Sequence, residues 1–143
     1  MTPFAPGQRW TYRTRPGEET STAFILKREE LPHGPVLHIQ LDGLHLHNPL
    51  TPGRLQTELG HLPITEAAAQ ACLTGLIEEH VTLPTDLSGY RQWRAAFEAG
   101  EAGTFDLPLA EIVETLEQVI SANGEATRTQ TEHAGLFEKR NLK

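Results

Sequence analysis

The residues best suited to chemistry are three histidines on a short alternating stretch: His38, His45 and His47. Imidazole nitrogens suit zinc and nickel, and three of them with one open position form a common catalytic zinc site. Asp42-Gly43 lies between them and predicts a two-residue hairpin turn. That turn would place His38 opposite His47, with His45 diagonal to His38 on the same face. The spacing therefore allows a metal site, with zinc as its possible cofactor.

The same stretch lacks the carboxylates that usually support bound zinc. A metal-bound histidine normally donates its second ring N–H to a carboxylate or a carbonyl, and no Asp or Glu lies on the predicted histidine face. Histidine is also common at partly exposed positions. We therefore favour a solvated polar face. The alternative is a metal-binding protein or small metal-dependent hydrolase centred on His38, His45 and His47.

Arginines and glutamates cluster around one tight turn near the N-terminus. The turn Arg15–Glu18 has Pro-Gly at its centre, as a type II turn requires. Its charged side chains can pair with each other. Alternatively, Arg9 and Arg13, with Lys27 as a further candidate, join the histidines on the outer sheet face as a cationic surface for an acidic protein or an anionic ligand. Arg9, Arg13, Arg15 and Glu18 are our candidate binding residues.

His61 is a further candidate, in the segment GHLPIT at the seam between the two halves of the chain. Gly60 permits an unusual backbone angle and Pro63 stiffens the segment, so His61 is held in a defined direction. A histidine before a helix is either a hydrogen-bonded strut or a catalytic residue; we favour the strut over catalysis and keep His61 as a candidate binding residue. The helix predicted to follow Thr65 would offer free N–H groups that attract anions.

Motifs for covalent or nucleotide chemistry are absent. The chain has no GxSxG, no Walker loop, no HExxH and no GxGxxG. Cys72 is the one cysteine, so no intrachain disulfide can form, and its apolar neighbours predict an inert buried thiol. We predict no catalytic residue and favour a protein that is not an enzyme.

Charge is distributed unevenly along the chain. The net charge is −7, and residues 65–124 carry only Arg91 and Arg94 against ten acidic residues. Such an acidic half argues against nucleic acid as the partner. The N-terminus lacks the features of a signal peptide, and no apolar run reaches the roughly 18 residues that span a bilayer. We therefore expect a soluble, cytoplasmic protein, and the oligomeric state is left open.

The first half of the chain has the period of β-strands. Trp10 and Tyr12 share one face of the first strand, and a second strand is expected at about 20–28. The histidine stretch supplies the third and fourth strands as a hairpin, with Ile39 and its neighbouring leucines toward the core. In the second half, apolar residues recur with the helical period. Helices are predicted at about 65–80, 88–99 and 108–122, with Asn123-Gly124 ending the third.

Strands followed by helices predict an α+β fold. We expect an N-terminal antiparallel sheet, strongly bent in an SH3-like manner, packed against three C-terminal helices that cover the face bearing Trp10 and Ile39. Residues 1–124 would form one α+β domain, and residues 125–143 a polar, flexible C-terminal tail.

Three segments resemble a family of small uncharacterised bacterial proteins. They are the opening GQRWTYRTRPGEETST, the segment DGLHLHNP and the segment GHLP. The resemblance covers roughly residues 6–122 and implies a compact domain. It implies no activity and no catalytic residues.

These observations favour a soluble binding module. It would recognise a protein or an anionic ligand through the arginine and histidine face of its sheet, and the metal-centred alternative stays open.

Overall fold

The computed structural model describes the backbone of residues 3–139 and the side chains of residues 3–124. Five strands form an antiparallel sheet: β1 (Arg9–Tyr12), β2 (Ala23–Leu31), β3 (Gly34–Leu41), β6 (Leu59–Thr65) and β7 (Leu73–Glu78). Their order is β6-β3-β2-β1-β7. Two short strands, β4 (Leu46–His47) and β5 (Leu55–Gln56), pair separately on either side of a 3-10 turn at Pro52–Arg54.

The α+β class is confirmed, and the sheet is open. Its edge strands are β6 and β7, so it does not close as an SH3-like barrel would. The first strand pairs on both sides, with β2 and with β7.

The two faces of the sheet carry different residues. The inner face bears Ile25 and Ile39, which are fully buried in the main hydrophobic core. The outer face bears Lys27 and His38. A bulge in β2 produces this arrangement, because Ile25 lies opposite Ile39 whereas Lys27 lies opposite His38, leaving Leu26 as the extra residue.

The predicted hairpin at Asp42-Gly43 is wrong. The third strand ends at Leu41 and pairs with β2 and β6, whereas β4 pairs with β5. The side chain of Asp42 explains the difference, because it accepts hydrogen bonds from the backbone N–H and hydroxyl of Thr22 at 2.9 Å. Gly43 then passes close to Ser21 with φ of +63°. The chain is therefore drawn toward the start of β2 rather than back along β3.

Three helices follow, and the first is shorter than predicted. They are α1 (Glu66–Cys72), α2 (Ser88–Glu98) and α3 (Leu109–Lys139). The predicted cap is confirmed, because the Thr65 side chain accepts from the N–H of Ala68. The second half of the predicted helix at 65–80 is instead β7. There Gly75 and β-branched residues favour an extended chain paired with β1.

The third helix begins after Pro108 as predicted but does not end at Asn123-Gly124. A side chain at Gly124 would lie 2.8 Å from Cδ of Pro49, so this glycine allows close packing instead of ending the helix. The predicted flexible tail stays a prediction. Its backbone to residue 139 belongs to α3, and its side chains and residues 140–143 lie outside the described residues.

The helices divide between the two faces, so the prediction that all three cover one face is wrong. Residues of α1 and of the first turns of α3 complete the inner core, among them Ala69, Cys72, Leu109 and Ile112. The second helix instead packs on the outer face, where Tyr90 and Trp93 contact His38. In the part of the chain described here, no helix is long and apolar enough to cross a membrane.

Candidate functional site

A chain of three polar side chains crosses the outer face of the sheet. His38 Nε2 lies 2.9 Å from Oε1 of Glu29, and His38 Nδ1 lies 2.8 Å from Nε2 of His61. The three residues come from neighbouring strands β2, β3 and β6, whose side chains meet because the strands pair directly. We call this set the Glu29–His38–His61 chain. His38 at its centre is fully buried.

The second helix covers the buried part of this chain with aromatic rings. The rings of Tyr90 and Trp93 meet that of His38 edge-on, at centroid distances of 4.7 and 4.9 Å. Trp93 stacks in turn on Phe97 at 4.9 Å. The aromatic stripe that the helical period predicts at these positions therefore encloses a polar group, the ring of His38.

Glu29 anchors the helix to the sheet. Its Oε2 lies 2.8 Å from Nη1 of Arg94, and the Tyr90 hydroxyl lies within 3.3 Å of both carboxylate oxygens. Burial opposes ionisation of this carboxyl, but the hydrogen bonds from His38 and Tyr90 and the charge of Arg94 outweigh it and lower the pKa of Glu29. The carboxylate is therefore ionised and acts only as an acceptor.

Both histidines are neutral at ordinary pH. Burial lowers the pKa of His38, and the hydrogen bond to Glu29 offsets that effect only in part. Burial together with the nearby His38 lowers the pKa of His61 from 6.5 to about 4. The Glu29–His38–His61 chain thus consists of an ionised carboxylate followed by two neutral imidazoles, each hydrogen-bonded to the next group.

The His61 end of the chain opens on a cleft of about 540 Å³ beside the start of α2. Its lining is polar and comes from β3, β6, α2 and the loop just before α2: Gln40, Gly60, His61, Asp86, Ser88, Gly89 and Gln92. A side chain at Gly89 would lie 3.0 Å from Cβ of His61. The absence of a side chain at this position lets α2 approach the sheet closely and leaves the cleft open.

A second hollow, of about 210 Å³, shares the lining residue Gln40 with the cleft. Its other lining residues include Arg9, whose guanidinium lies 4.9 Å from the ring centroid of Phe24. Nε of Arg9 contacts Glu78 at 2.8 Å, and Nη1 contacts Asp42 at 3.4 Å. Among the described residues, Nη2 of Arg9 has no hydrogen-bond partner. We call the two hollows together the outer groove.

The other candidate arginines lie outside the groove. Arg13 is exposed just beyond β1 and forms no ion pair with any described side chain. Arg15 instead joins three carboxylates, at 2.7 Å to Glu18, 3.0 Å to Glu114 and 2.7 Å to Glu117. Glu18 is buried and accepts the backbone N–H of His45. Arg15 and Glu18 therefore tie the turn to α3.

The three histidines of the proposed metal site are not brought together as the hairpin predicted. His38 lies under α2, whereas the backbone N–H groups of His45 and His47 bond to Glu18 and Glu117. The described residues contain no group of three side chains placed to hold a metal ion. The pairing of β4 with β5 removes the geometry on which the metal interpretation depended.

Sequence reasoning missed Glu29, Tyr90 and Arg94. The period of β2 does place Glu29 on the same face as Lys27, and Arg94 follows Tyr90 by four residues on α2, one helical turn away. The sequence does not show that α2 lies over β2 and β3. Without that docking, the aromatic stripe looked like ordinary core and His38 lacked a carboxylate partner.

Comparisons with known proteins give no further guide to this site. No family model, no curated protein and no solved structure matches the chain. The geometry of the outer groove is therefore the basis for assigning a function.

Proposed function

We propose that this protein is a binding module that receives a segment of a partner protein in its outer groove. The observation that carries this proposal is a pair of unpartnered polar atoms along that groove, Nη2 of Arg9 and Nδ1 of His61. Among the described residues neither atom has a hydrogen-bond partner, whereas the other polar atoms of both side chains are engaged.

Arg9 is held in place before any partner arrives. Its guanidinium lies over Phe24, and its Nε and Nη1 are fixed by Glu78, Thr22 and Asp42. A side chain that is already ordered loses little conformational entropy on binding. Nη2 can therefore contact a carboxylate of the partner with a small ordering cost, and this favours a partner segment that carries an acidic side chain.

The properties of His61 favour binding over catalysis. A general base works best when its pKa lies near the operating pH. The pKa of His61 is lowered to about 4 by burial and by the nearby His38, so it accepts protons weakly near neutral pH. A neutral imidazole of this kind is well suited to accept a hydrogen bond from a ligand and poorly suited to remove a proton.

Selection from a phage-displayed random-peptide library tests the proposal. The immobilised protein should enrich peptides that carry acidic residues, and their capture should weaken as salt is raised, because ions screen exposed charges. Arg9→Glu should lose these peptides. Arg13→Glu is the matched control, because it makes the same charge change outside the groove and should retain them.

Equal enrichment by the two variants would contradict a role for the groove, and so would selection of sequences without acidic residues by the wild-type protein. The melting temperature of Arg13→Glu should stay close to that of the wild type. Arg9→Glu also places a carboxylate beside Glu78 and Asp42, so a moderate fall in its melting temperature is expected, and a single cooperative melt shows that this variant is folded when it is screened.

A further inference from the structure

We infer that His61 recognises an amide N–H of the bound segment. In this proposal the Glu29–His38–His61 chain keeps Nδ1 of His61 unprotonated, so that this atom acts as a hydrogen-bond acceptor. This inference rests on the proposed binding function and specifies its chemistry. The groove would then recognise two groups of one peptide: a carboxylate at Arg9 and an amide N–H at His61.

The direction of the hydrogen bonds along the chain follows from Glu29. An ionised carboxylate can only accept, so His38 must donate to it from Nε2. A neutral imidazole carries a proton on only one of its two ring nitrogens, so Nδ1 of His38 must accept a hydrogen bond. Nε2 of His61 must therefore donate to it across the 2.8 Å contact. That leaves Nδ1 of His61 without a proton and able only to accept.

The free nitrogen of His61 is open to a ligand. Among the described side chains, no buried nitrogen or oxygen atom lacks a hydrogen-bond partner. Nδ1 of His61 has no partner in this part of the chain, so it must be reached by solvent. His61 also lines the cleft of about 540 Å³, a volume within the usual range for small-ligand sites.

The charged groups around the histidine pair hold this arrangement in place. Lys27 of β2 and Arg94 of α2 both disfavour a proton on His38, and His38 disfavours one on His61. Asp86 lies in the cleft just before α2. A ligand carboxylate would be repelled at this end of the groove, whereas a neutral amide would not.

The backbone beside His61 favours a peptide as the source of the amide. The segment around Phe105 adds to the outer edge of β6, donating to the carbonyl of Pro63 and accepting from the N–H of Thr65. β6 is an edge strand, and among the described residues only the Phe105 segment bridges its outer edge, at Pro63–Thr65. The part of this edge nearer His61 is therefore available for an extended peptide to add as a further strand.

Nitrogen-15 NMR of the histidine side chains tests the acceptor state without any ligand. Long-range proton–nitrogen spectra of the wild-type protein near neutral pH should show Nδ1 of His61 unprotonated and Nε2 protonated. A proton on Nδ1 in this spectrum would overturn the inference. Selection of acidic peptides through Arg9 would be unaffected, so the two failures are distinguishable.

A neutral dipeptide mimic then tests recognition. Addition of N-acetylalanine N-methylamide should shift the Nδ1 resonance of His61 in the direction of an accepted hydrogen bond. The analogue with both amide nitrogens methylated has no N–H and should give no shift. Equal shifts, or none with either compound, would overturn the inference. A shift with glucose but not with the dipeptide mimic would assign the acceptor to hydroxyl groups and also overturn the peptide assignment.

The variant Glu29→Gln should reverse the direction of the hydrogen bonds along the Glu29–His38–His61 chain. Arg94 requires an oxygen at the Oε2 position, so the new amide nitrogen would face His38 and donate to it. His38 would then donate to His61, and Nδ1 of His61 would carry a proton. The dipeptide-induced shift should disappear. Glu30→Gln, on the same strand and exposed, is the control and should leave the spectrum of His61 unchanged.

Discussion

The neutral imidazole of His61 links the stability of the fold to pH. Its pKa is lowered from 6.5 to about 4 by burial and by the nearby His38. The unfolded chain therefore takes up a proton at this residue below pH 6.5, whereas the folded protein resists it until about pH 4. The stabilising contribution is fully present above pH 6.5 and is lost as the pH falls toward 4.

We expect His61→Gln to weaken the pH dependence of the melting temperature between pH 6.5 and 4, because glutamine cannot take up this proton, while His38, whose pKa is also lowered, keeps part of the dependence. Its amide can still donate to His38, so the packing is preserved. His33→Gln, at an exposed position, is the control and should follow the wild-type curve. Thermal melts by circular dichroism measure the effect. A wild-type curve that stays flat over this range would contradict the assignment. Loss of stability below about pH 4.5 would instead report on Glu18 and Glu29, whose pKa values are lowered.

The helices illustrate which elements sequence periodicity can predict. The second helix was predicted closely, because its apolar stripe and the glycine that follows it are local signals. The β7 segment was predicted as helix because Leu73, Leu76 and Ile77 also fit the helical period. What decides its conformation is β1, its pairing partner more than 60 residues earlier, and no local pattern encodes that contact.

The same limit applies to the functional site. His61 was identified as a candidate because glycine and proline flank it, which is a local signal. Its partner His38 was identified for the wrong reason, as a member of a hairpin that does not form. Glu29 was missed, because its role depends on the docking of α2 over β2. The types of residue are in the sequence, but their association depends on packing between distant segments.

For α3, we expect the contribution of each position to stability to follow its burial. Ile112 is fully buried in the inner core, whereas Val119 is 48% exposed. Ile112→Ala should lower the free energy of unfolding by about 2–5 kcal/mol, because it removes buried methyl groups and leaves a cavity. Val119→Ala on the same helix should change it by less than about 1 kcal/mol. Urea denaturation gives both values, and similar losses would show that the helix docks in a different register.

Across the whole molecule, a partly buried ion-pair network joins parts that are distant in sequence. Arg15 links the Arg15–Glu18 turn to Glu114 and Glu117 of α3. Glu18 connects Arg15 to the backbone of His45 just before β4. Burial opposes ionisation of Glu18, but the hydrogen bonds from Arg15 and His45 lower its pKa. The network therefore holds α3 against the small β4–β5 sheet.

We expect Glu18→Gln to destabilise the fold by about 2–3 kcal/mol, because the new amide nitrogen would face the N–H donors of Arg15 or His45 and leave one of them without an acceptor. The matched control is Glu19→Gln. Glu19 is exposed and accepts only from local backbone N–H groups, so this change should leave the free energy of unfolding close to the wild-type value. Chemical denaturation measures the difference. Equal losses would show that Arg15 is compensated by Glu114 and Glu117 alone.

The position of β1 between β2 and β7 also determines when the sheet can be completed during synthesis. The β2–β3 hairpin joins neighbouring segments and can form as soon as residue 41 has left the ribosome. The contact between Thr11 and Thr74 joins residues 63 positions apart, so it closes a long loop and forms slowly. Until β7 emerges, one edge of β1 stays unpaired and open to pairing with other chains. The nascent protein is therefore most prone to aggregation while the segment between β3 and β7 is being translated.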